Sequence, residues 1–199
     1  MKLNINSRNP EKELIKTAVN ALNEGKIILY PTDTVYGIGA NIFDLKAVQK
    51  VYEIKKRPLN KPLSVCVSKI DDIEKIAYLN KDLKKLISNI FPGPFTVILK
   101  KKENISPILT AGGEKIGIRI PDNNVCMELS REFPITTTSA NLSGQPIPES
   151  VEGVLEQLGN KIDLILDAGI SKNGVHSTVI DMTVYPPKIL RKGAKEPPF

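Results

Sequence analysis

Short apolar runs alternate with amphipathic segments along the whole chain, and prolines and glycines separate them. Apolar residues that recur every three to four positions predict helices, whereas short β-branched runs bounded by Pro or Gly predict strands. Some predicted strands alternate with helices, and others follow each other directly. This mixture predicts an α/β fold in which helices pack against a twisted mixed parallel/antiparallel sheet, rather than a fully doubly wound sheet.

The pattern predicts about eight strands and five or six helices. We expect Gly25 to end the first helix, Asp44 and Asn80 to cap two later ones, and two more helices near residues 125–132 and 151–158. The strands are predicted in the segments IILY, LSVCV, FTVILK, KIGIRIP, ITTTSAN, DLILD, STVIDM and KILR.

Length and composition suit one globular unit. The chain has 199 residues, of which 41% are hydrophobic, enough for one core of ordinary size. We therefore expect a single domain over residues 1–199. No run reaches the roughly 18 apolar residues of a membrane span, and the N-terminal MKLNINSRNPEKELIK is too polar for a signal peptide. We expect a cytoplasmic protein that does not enter a membrane.

The cysteine and histidine content argues against several common kinds of site. Cys66 and Cys126 lie far apart in apolar segments, so we expect buried free thiols rather than a disulfide or metal ligands. His176 is the only histidine, and no Cys-x-x-Cys, His-Glu-x-x-His or Gly-x-Ser-x-Gly motif occurs. The sequence thus disfavours a transition-metal site and a Ser-His-Asp hydrolase.

The formal net charge of +6 favours a polyanionic partner such as ATP or RNA, without choosing between them. Most basic residues are lysines on predicted helix faces, whereas arginine occurs only at positions 8, 57, 119, 131 and 191. Because the planar guanidinium suits phosphate and carboxylate oxygens, the arginines are the more informative candidates for a binding site.

The segment KKRPLNKP, residues 55–62, places four cations and two prolines at the end of a predicted helix. One interpretation is a capped helix followed by a solvated turn, because a helix C-terminus favours positive charge. The other is a phosphate site. No Gly-Lys-Ser/Thr loop occurs, and GIGANI has Ile42 where a Gly-x-Gly-x-x-Gly loop needs its third glycine. If ATP binds, side-chain cations must therefore replace the usual backbone cradle.

Several predicted strands end in polar clusters, namely PTDT, RIP, TTTSAN and LRKG. Residues at strand ends of an α/β sheet commonly converge on one cleft, so these clusters are expected to share a site. Arginine, serine and asparagine donors suit phosphate and carboxylate oxygens, and threonine hydroxyls suit a small polar ligand.

Seven segments between about residue 10 and residue 194 are informative when taken together, namely YPTDTVYGIGA, KKRPLNKPLSV, FPGPFTVILK, IGIRIP, TTTSANLSGQP, STVIDM and ILRKG. In this order they resemble the YrdC family, the threonylcarbamoyl-AMP synthases. The resemblance implies the short single-domain form of the family and its fold, a twisted mixed sheet around a large basic concave cavity.

The resemblance also implies an activity. Such an enzyme is a nucleotidyltransferase that joins L-threonine, bicarbonate or CO2, and ATP into threonylcarbamoyl-AMP, with release of pyrophosphate. The adenylate would serve a downstream threonylcarbamoyl-transferase complex that modifies the adenosine next to the anticodon in tRNA. Mg²⁺ would be expected with ATP, held by phosphate oxygens and water, so no protein ligand is assigned to it.

Functional residues are implied motif by motif. The catalytic group would be Lys55, Arg57, Ser139 and Asn141, which would hold the ATP phosphates together with Lys61 and Arg191. Threonine would contact Thr34, Arg119, Thr137 and Ser177, with Arg119 pairing with its carboxylate. Lys61 stands where some relatives carry asparagine, and Cys66 where some carry histidine, so no role is implied for Cys66.

Alternative interpretations stay open for individual residues and for the whole chain. Packing in a strand competes with ligand contact for Thr137, surface ion pairing competes for the three motif arginines, and His176 is expected to be a solvent-facing loop residue. The runner-up function is a double-stranded RNA or tRNA-binding module without chemistry. A third is a carbamoyl-transfer module like the related domain of hydrogenase-maturation proteins.

Overall fold

The computed structural model describes residues 1–171 and 174–199. The helices are α1 (Lys12–Asn23), α2 (Leu45–Ile54), α3 (Ile70–Ile73), α4 (Lys81–Ser88), α5 (Asn124–Leu129) and α6 (Val151–Leu158). The strands are β1 (Lys2–Asn4), β2 (Ile28–Tyr30), β3 (Gly37–Gly39), β4 (Val65–Cys66), β5 (Phe95–Lys100), β6 (Lys115–Arg119), β7 (Ile135–Thr136), β8 (Thr138–Ser139), β9 (Leu164–Asp167), β10 (Thr178–Asp181) and β11 (Lys188–Arg191).

The strands form two mixed sheets. The first sheet has the order β1-β9-β2-β3-β8, and the second has the order β11-β10-β5-β6-β4-β7. Both contain parallel and antiparallel neighbours, such as the parallel pair β5 and β10 and the antiparallel pair β5 and β6. The predicted mixed α/β class is therefore confirmed, although the sequence pattern indicated one sheet and the strands divide into two.

The two sheets meet where the predicted strand ITTTSAN splits. β7 pairs with β4 in the second sheet, whereas β8 pairs with β3 in the first. Thr137 lies between these two strands, and its backbone N–H donates to the carbonyl oxygen of Ser64 at 2.8 Å. The chain thus changes sheets at Thr137, and the polar residues on either side are brought to the junction.

The predicted helix boundaries are largely confirmed by their caps. The carboxylate of Asp44 accepts from the backbone N–H of Ala47 at 3.0 Å, and the amide oxygen of Asn80 accepts from Leu83 at 2.8 Å. Gly25 follows α1 with a φ of +71°, a left-handed conformation that glycine adopts without steric cost. These caps fix the direction in which each helix leads into the neighbouring loop.

The Gly-x-Gly pair of GIGANI serves packing in the first sheet. Gly37 and Gly39 lie in β3 opposite Tyr30 and Ile28 of β2, and an added Cβ would lie 3.1 Å or 3.0 Å from the Tyr30 ring. The absence of these side chains therefore lets the buried tyrosine lie across the strand. This agrees with the prediction that GIGANI is no nucleotide fingerprint.

Cys66 and Cys126 are both buried and free, as predicted. They belong to a hydrophobic cluster that α1, α5 and β2 also contribute to, including Tyr30 and Leu22. Within the described parts of the chain, no helix is long and apolar enough to cross a membrane.

Candidate active site

The turn after α2 is built by two backbone hydrogen bonds. The N–H of Lys56 donates to Glu53 at 3.1 Å, and the N–H of Arg57 donates to Tyr52 at 2.9 Å. Lys56 adopts a φ of +47° to close this turn, the position where helices commonly place a left-handed residue. The helix end therefore sets where Lys55 and Arg57 leave the backbone.

Lys55 is buried, with 1% of its surface exposed. Its ammonium donates to the carbonyl oxygen of Ser139, to the carbonyl oxygen of Asn141 at 2.7 Å and to the Oδ1 of Asn141 at 3.1 Å. Burial, and secondarily the charge of Arg57, lowers its pKa to about 7. Lys55 is thus held by neutral dipoles and not by a carboxylate.

The segment 139–145 is folded around this ammonium. The Ser139 hydroxyl donates to the Oδ1 of Asn141 at 2.6 Å, and the Asn141 side-chain amide donates to the carbonyl oxygen of Gln145, also at 2.6 Å. The backbone N–H of Ser143 donates to the carbonyl oxygen of Lys55 at 2.9 Å. These bonds fix Ser139 and Asn141 in place before any ligand arrives.

Arg57 organises the KKRPLNKP turn from the other side. Its Nε donates to the carbonyl oxygen of Lys61 at 3.1 Å, and its Nη2 donates to that of Pro62 at 2.8 Å. Burial lowers the pKa of Arg57, while Lys61 itself is exposed. A guanidinium has five N–H donors, so these two bonds position Arg57 and leave others for a ligand.

Arg119 lies at the end of β6 in a buried ion pair. Its Nη2 donates to the Oδ1 of Asp33 at 2.7 Å and to the hydroxyl of Thr34 at 3.1 Å. The side chains of Arg119 and Asp33 are 8% and 9% exposed. Burial raises the pKa of Asp33, and the charge of Arg119 opposes that shift. Arg119 is therefore orientated by PTDT, the polar cluster that follows β2.

Ser177 and Arg191 are joined at the start of β10. Arg191 donates through Nε and Nη2 to the carbonyl oxygen of Ser177 at 3.2 Å and 2.9 Å, and the Ser177 hydroxyl is 2.8 Å from that of Thr96. A Cβ at Gly193 would overlap the carbonyl oxygen of His176. Glycine is thus required where the segment after β11 crosses the backbone before β10.

These groups face one cavity of about 400 Å³ at the junction of the two sheets. Nine of the ten predicted site residues line it: Lys55, Arg57, Lys61, Arg119, Thr137, Ser139, Asn141, Ser177 and Arg191. The tenth, Thr34, is fully buried and reaches the site through Arg119. The structure therefore brings together polar clusters that lie far apart in the sequence.

The cavity is strongly cationic. Among its described lining residues there are five Lys or Arg side chains and no carboxylate. Burial lowers the pKa of Arg191, and the charges of Arg119 and Arg57 lower it further, which shows that the cations act on one another. A second cavity, of about 540 Å³, includes Asp33 and Asp122 in its lining and suits a polyanion less well.

Sequence reasoning missed three side chains of this site. Asp33 lies within the quoted PTDT motif, but its partner is 86 residues away in the chain. Thr96 carries only a strand signal. His176, expected to face solvent, is instead half-buried and lines the cavity. Its position directly before the motif residue Ser177 was the available clue.

Comparison with known proteins assigns the chain to a family. The Sua5/YciO/YrdC family, described as telomere recombination, matches residues 20–193. A Methanocaldococcus jannaschii protein provisionally named threonylcarbamoyl-AMP synthase is 46% identical over 169 residues, which are 85% of this chain and 80% of that protein. The threonylcarbamoyl-AMP synthase of Bacillus subtilis is 40% identical over 183 residues, 90% of this chain and 53% of that protein.

The fold comparison agrees with this assignment. The crystal structure of Pyrococcus abyssi Sua5 complexed with L-threonine matches with a TM-score of 0.91 at 36% identity, over 97% of this chain and 57% of that chain. The chain thus spans just over half the length of the Bacillus and Pyrococcus proteins. Sequence and fold together show that the chain belongs to the Sua5/YciO/YrdC family.

Proposed function

We propose that this chain is a threonylcarbamoyl-AMP synthase, a nucleotidyltransferase that uses L-threonine, bicarbonate or CO2, and ATP. The observation that carries the proposal is the convergence of nine predicted residues on one carboxylate-free cationic cavity. The names of the Bacillus subtilis relative and of the threonine-bound Pyrococcus structure support it.

The triphosphate would lie against the KKRPLNKP turn and the 139–145 segment. Arg57 and Arg191 would donate to phosphate oxygens through the N–H groups that do not bind backbone carbonyls, with Lys61 at the rim. Asn141 would offer the second N–H of its side-chain amide, whose oxygen Lys55 holds, and Ser139 would offer its hydroxyl by turning it away from Asn141. Donors fixed in advance stabilise charge on phosphoryl oxygens without reorganising during the reaction.

Threonine would lie near Arg119, Thr137 and Ser177. Arg119 is orientated by Asp33 and Thr34, so its remaining donors can bind the amino acid's carboxylate. Hydroxyl groups that pair with the substrate hydroxyl would disfavour valine, because an unpaired buried polar group is costly. The buried environment of Thr137, with 6% of its surface exposed, suits such selection.

In the reaction, the threonine nitrogen first forms a carbamate with CO2 or bicarbonate. A carbamate oxygen then forms a bond to the α-phosphorus of ATP, and the bond between that phosphorus and the bridging oxygen to the β-phosphate breaks, releasing pyrophosphate. An anion must approach a polyanion in this step. The cavity's cations reduce that repulsion, and no covalent enzyme intermediate is needed.

Magnesium would accompany ATP rather than bind to a protein site. Mg²⁺ prefers oxygen ligands, especially carboxylates and phosphates, and the described cavity lining offers no carboxylate. Within the described residues no group of three potential metal ligands occurs anywhere. In this proposal phosphate oxygens and water hold the ion, and no step above depends on a protein ligand.

The product would be consumed by a threonylcarbamoyl-transferase complex acting on tRNA. This placement, direct contact with tRNA and a cytoplasmic location are parts of the proposal. The net charge of +6 supports the contact with tRNA, because tRNA is a polyanion. The anhydride bond of an acyl-adenylate is activated for transfer to an amine, so the consuming reaction must be an acyl-type transfer with AMP as leaving group.

The test measures pyrophosphate release from ATP with bicarbonate, with and without L-threonine. We expect release to require threonine and to fall about a hundredfold in Arg57→Ala, because one oriented donor to a phosphoryl oxygen is removed. Arg131→Ala is the control, since Arg131 is exposed and pairs with Glu128 away from the cavity. The absence of threonine-dependent pyrophosphate release from folded protein would favour the RNA-binding alternative.

A further inference from the structure

His176 is held firmly at the cavity wall. Its carbonyl oxygen accepts from the N–H of Ala194 at 2.9 Å, and the N–H of Thr178, two residues later, donates to Pro94 at 3.0 Å. The side chain lines the cavity beside Ser177 and Arg191. These two bonds fix the backbone that carries the imidazole.

The His176 imidazole differs from its neighbouring side chains because its unprotonated nitrogen is available to accept a proton. The other ionisable side chains of the described lining are Lys55, Arg57, Lys61, Arg119 and Arg191, and no carboxylate contributes. The ammonium of Lys55 already donates to three protein oxygens. Nothing in the described structure accepts from or donates to the His176 ring.

We propose that His176 is a catalytic residue that takes the proton released when the ammonium of the bound amino acid becomes a carbamate. The inference rests on the proposed function and adds a residue to it. The acceptor of the proton in that first step is the unprotonated nitrogen of the imidazole ring.

The step balances with His176 as the acceptor. The threonine ammonium and bicarbonate give the carbamate, one water and one proton, and the proton goes to the imidazole. The N–C bond forms as the C–O bond to the departing water breaks, and no electron transfer occurs. The imidazolium then returns its proton to solvent through the cavity mouth, so the residue is ready for another turnover.

The charges around the ring favour its neutral form. Burial lowers the pKa of His176, and the positive charges of Arg191 on β11, Lys55 after α2 and Arg119 on β6 lower it further. The ring is therefore unprotonated at neutral pH. Activity that depends on neutral His176 is lost as pH falls through this lowered pKa, which places the acidic limb below pH 6.5.

The experiment follows threonine-dependent pyrophosphate release by His176→Gln and His176→Ala across pH, with bicarbonate present. We expect kcat/KM for threonine to fall about a hundredfold near neutral pH, the lower end of general-base effects. The deficit should shrink above the pKa of the amino acid's ammonium, and KM for ATP should stay the same. Added imidazole should restore activity to His176→Ala.

Val175→Ala is the matched control, because Val175 is exposed in the same segment and does not line the cavity. The inference would be overturned if the His176 variants kept the wild-type pH profile and melting temperature. It would also be overturned if His176→Ala had a reduced rate that added imidazole did not restore. A wild-type enzyme with no threonine-dependent release would instead contradict the proposed function, so the two failures are distinguishable.

Discussion

Two buried cations face the same cavity, and the protein holds them in different ways. Arg119 is paired with the carboxylate of Asp33, so the pair carries no net charge. Lys55 is surrounded by two carbonyl oxygens and an amide oxygen, so its ammonium remains an uncompensated charge. Both side chains are more than nine-tenths buried.

The difference separates two tasks. Buried charge without a counter-ion is costly, and the lowered pKa of Lys55, about 7, reports that cost. A bound polyanion stabilises the protonated form of Lys55, and this protonated form in turn strengthens the binding of the polyanion. The ion pair around Arg119 instead fixes a guanidinium in one orientation, which suits recognition of a single carboxylate. The Lys55 side of the cavity supplies positive electrostatic potential. The Arg119 side holds a guanidinium in the orientation that a carboxylate needs.

The largest expected effect comes from breaking the ion pair. Arg119→Met leaves the Asp33 carboxylate buried without its guanidinium and should cost on the order of 3 kcal/mol of unfolding free energy. The double variant Arg119→Met with Asp33→Asn should recover most of that stability but no activity. Denaturant unfolding of both variants checks this; equal stability of the two would show that the pair does not hold this part of the fold.

The second effect comes from giving Lys55 a carboxylate partner, as Arg119 already has in Asp33. Asn141→Asp places a carboxylate against the ammonium that Oδ1 now contacts at 3.1 Å, and so cancels the uncompensated charge. We expect KM for ATP to rise at least about tenfold, by loss of roughly 1.4 kcal/mol of attraction, while KM for threonine changes little. Steady-state kinetics with Asn141→Ser, which adds no charge, provide the comparison.

The third effect is a pH dependence of stability. The pKa of Lys55 is about 7 in the folded chain and 10.5 as its ordinary value, so the unfolded chain binds the proton more tightly between these pH values. Stability should therefore rise with pH across that window in the wild type, relative to Lys55→Met. Melting temperatures at pH 6.5 and 9.5 measure it; a constant difference between the two proteins would contradict a lowered pKa.

Much of the fold followed from local patterns. Asp44 and Asn80 were recognisable caps, and the predicted β-branched runs became strands. β1 and β3 were missed because their sequences, Lys-Leu-Asn and Gly-Ile-Gly, carry little strand propensity. The division into two sheets depends on pairing between distant segments, and the pattern of a single sequence does not show which segments pair.

The sequence predicted which residues belong to the site better than it predicted which of them contact one another. The family resemblance identified the residues that line the cavity, because each of them lies in one of the family's motifs. The partners were not predictable, since Lys55 contacts Asn141 across 86 positions and Arg119 contacts Asp33 across the same separation. Whether a motif cation is free or already paired depends on such long-range contacts.

The most direct test of the central claim is the identity of the product. The purified chain would be incubated with ATP, L-threonine and ¹³C-labelled bicarbonate, and the adenylate analysed by mass spectrometry. We predict AMP joined to threonine through one labelled carbon, formed only when all three substrates are present. An unlabelled threonyl-adenylate, or no adenylate from folded protein, would contradict the account.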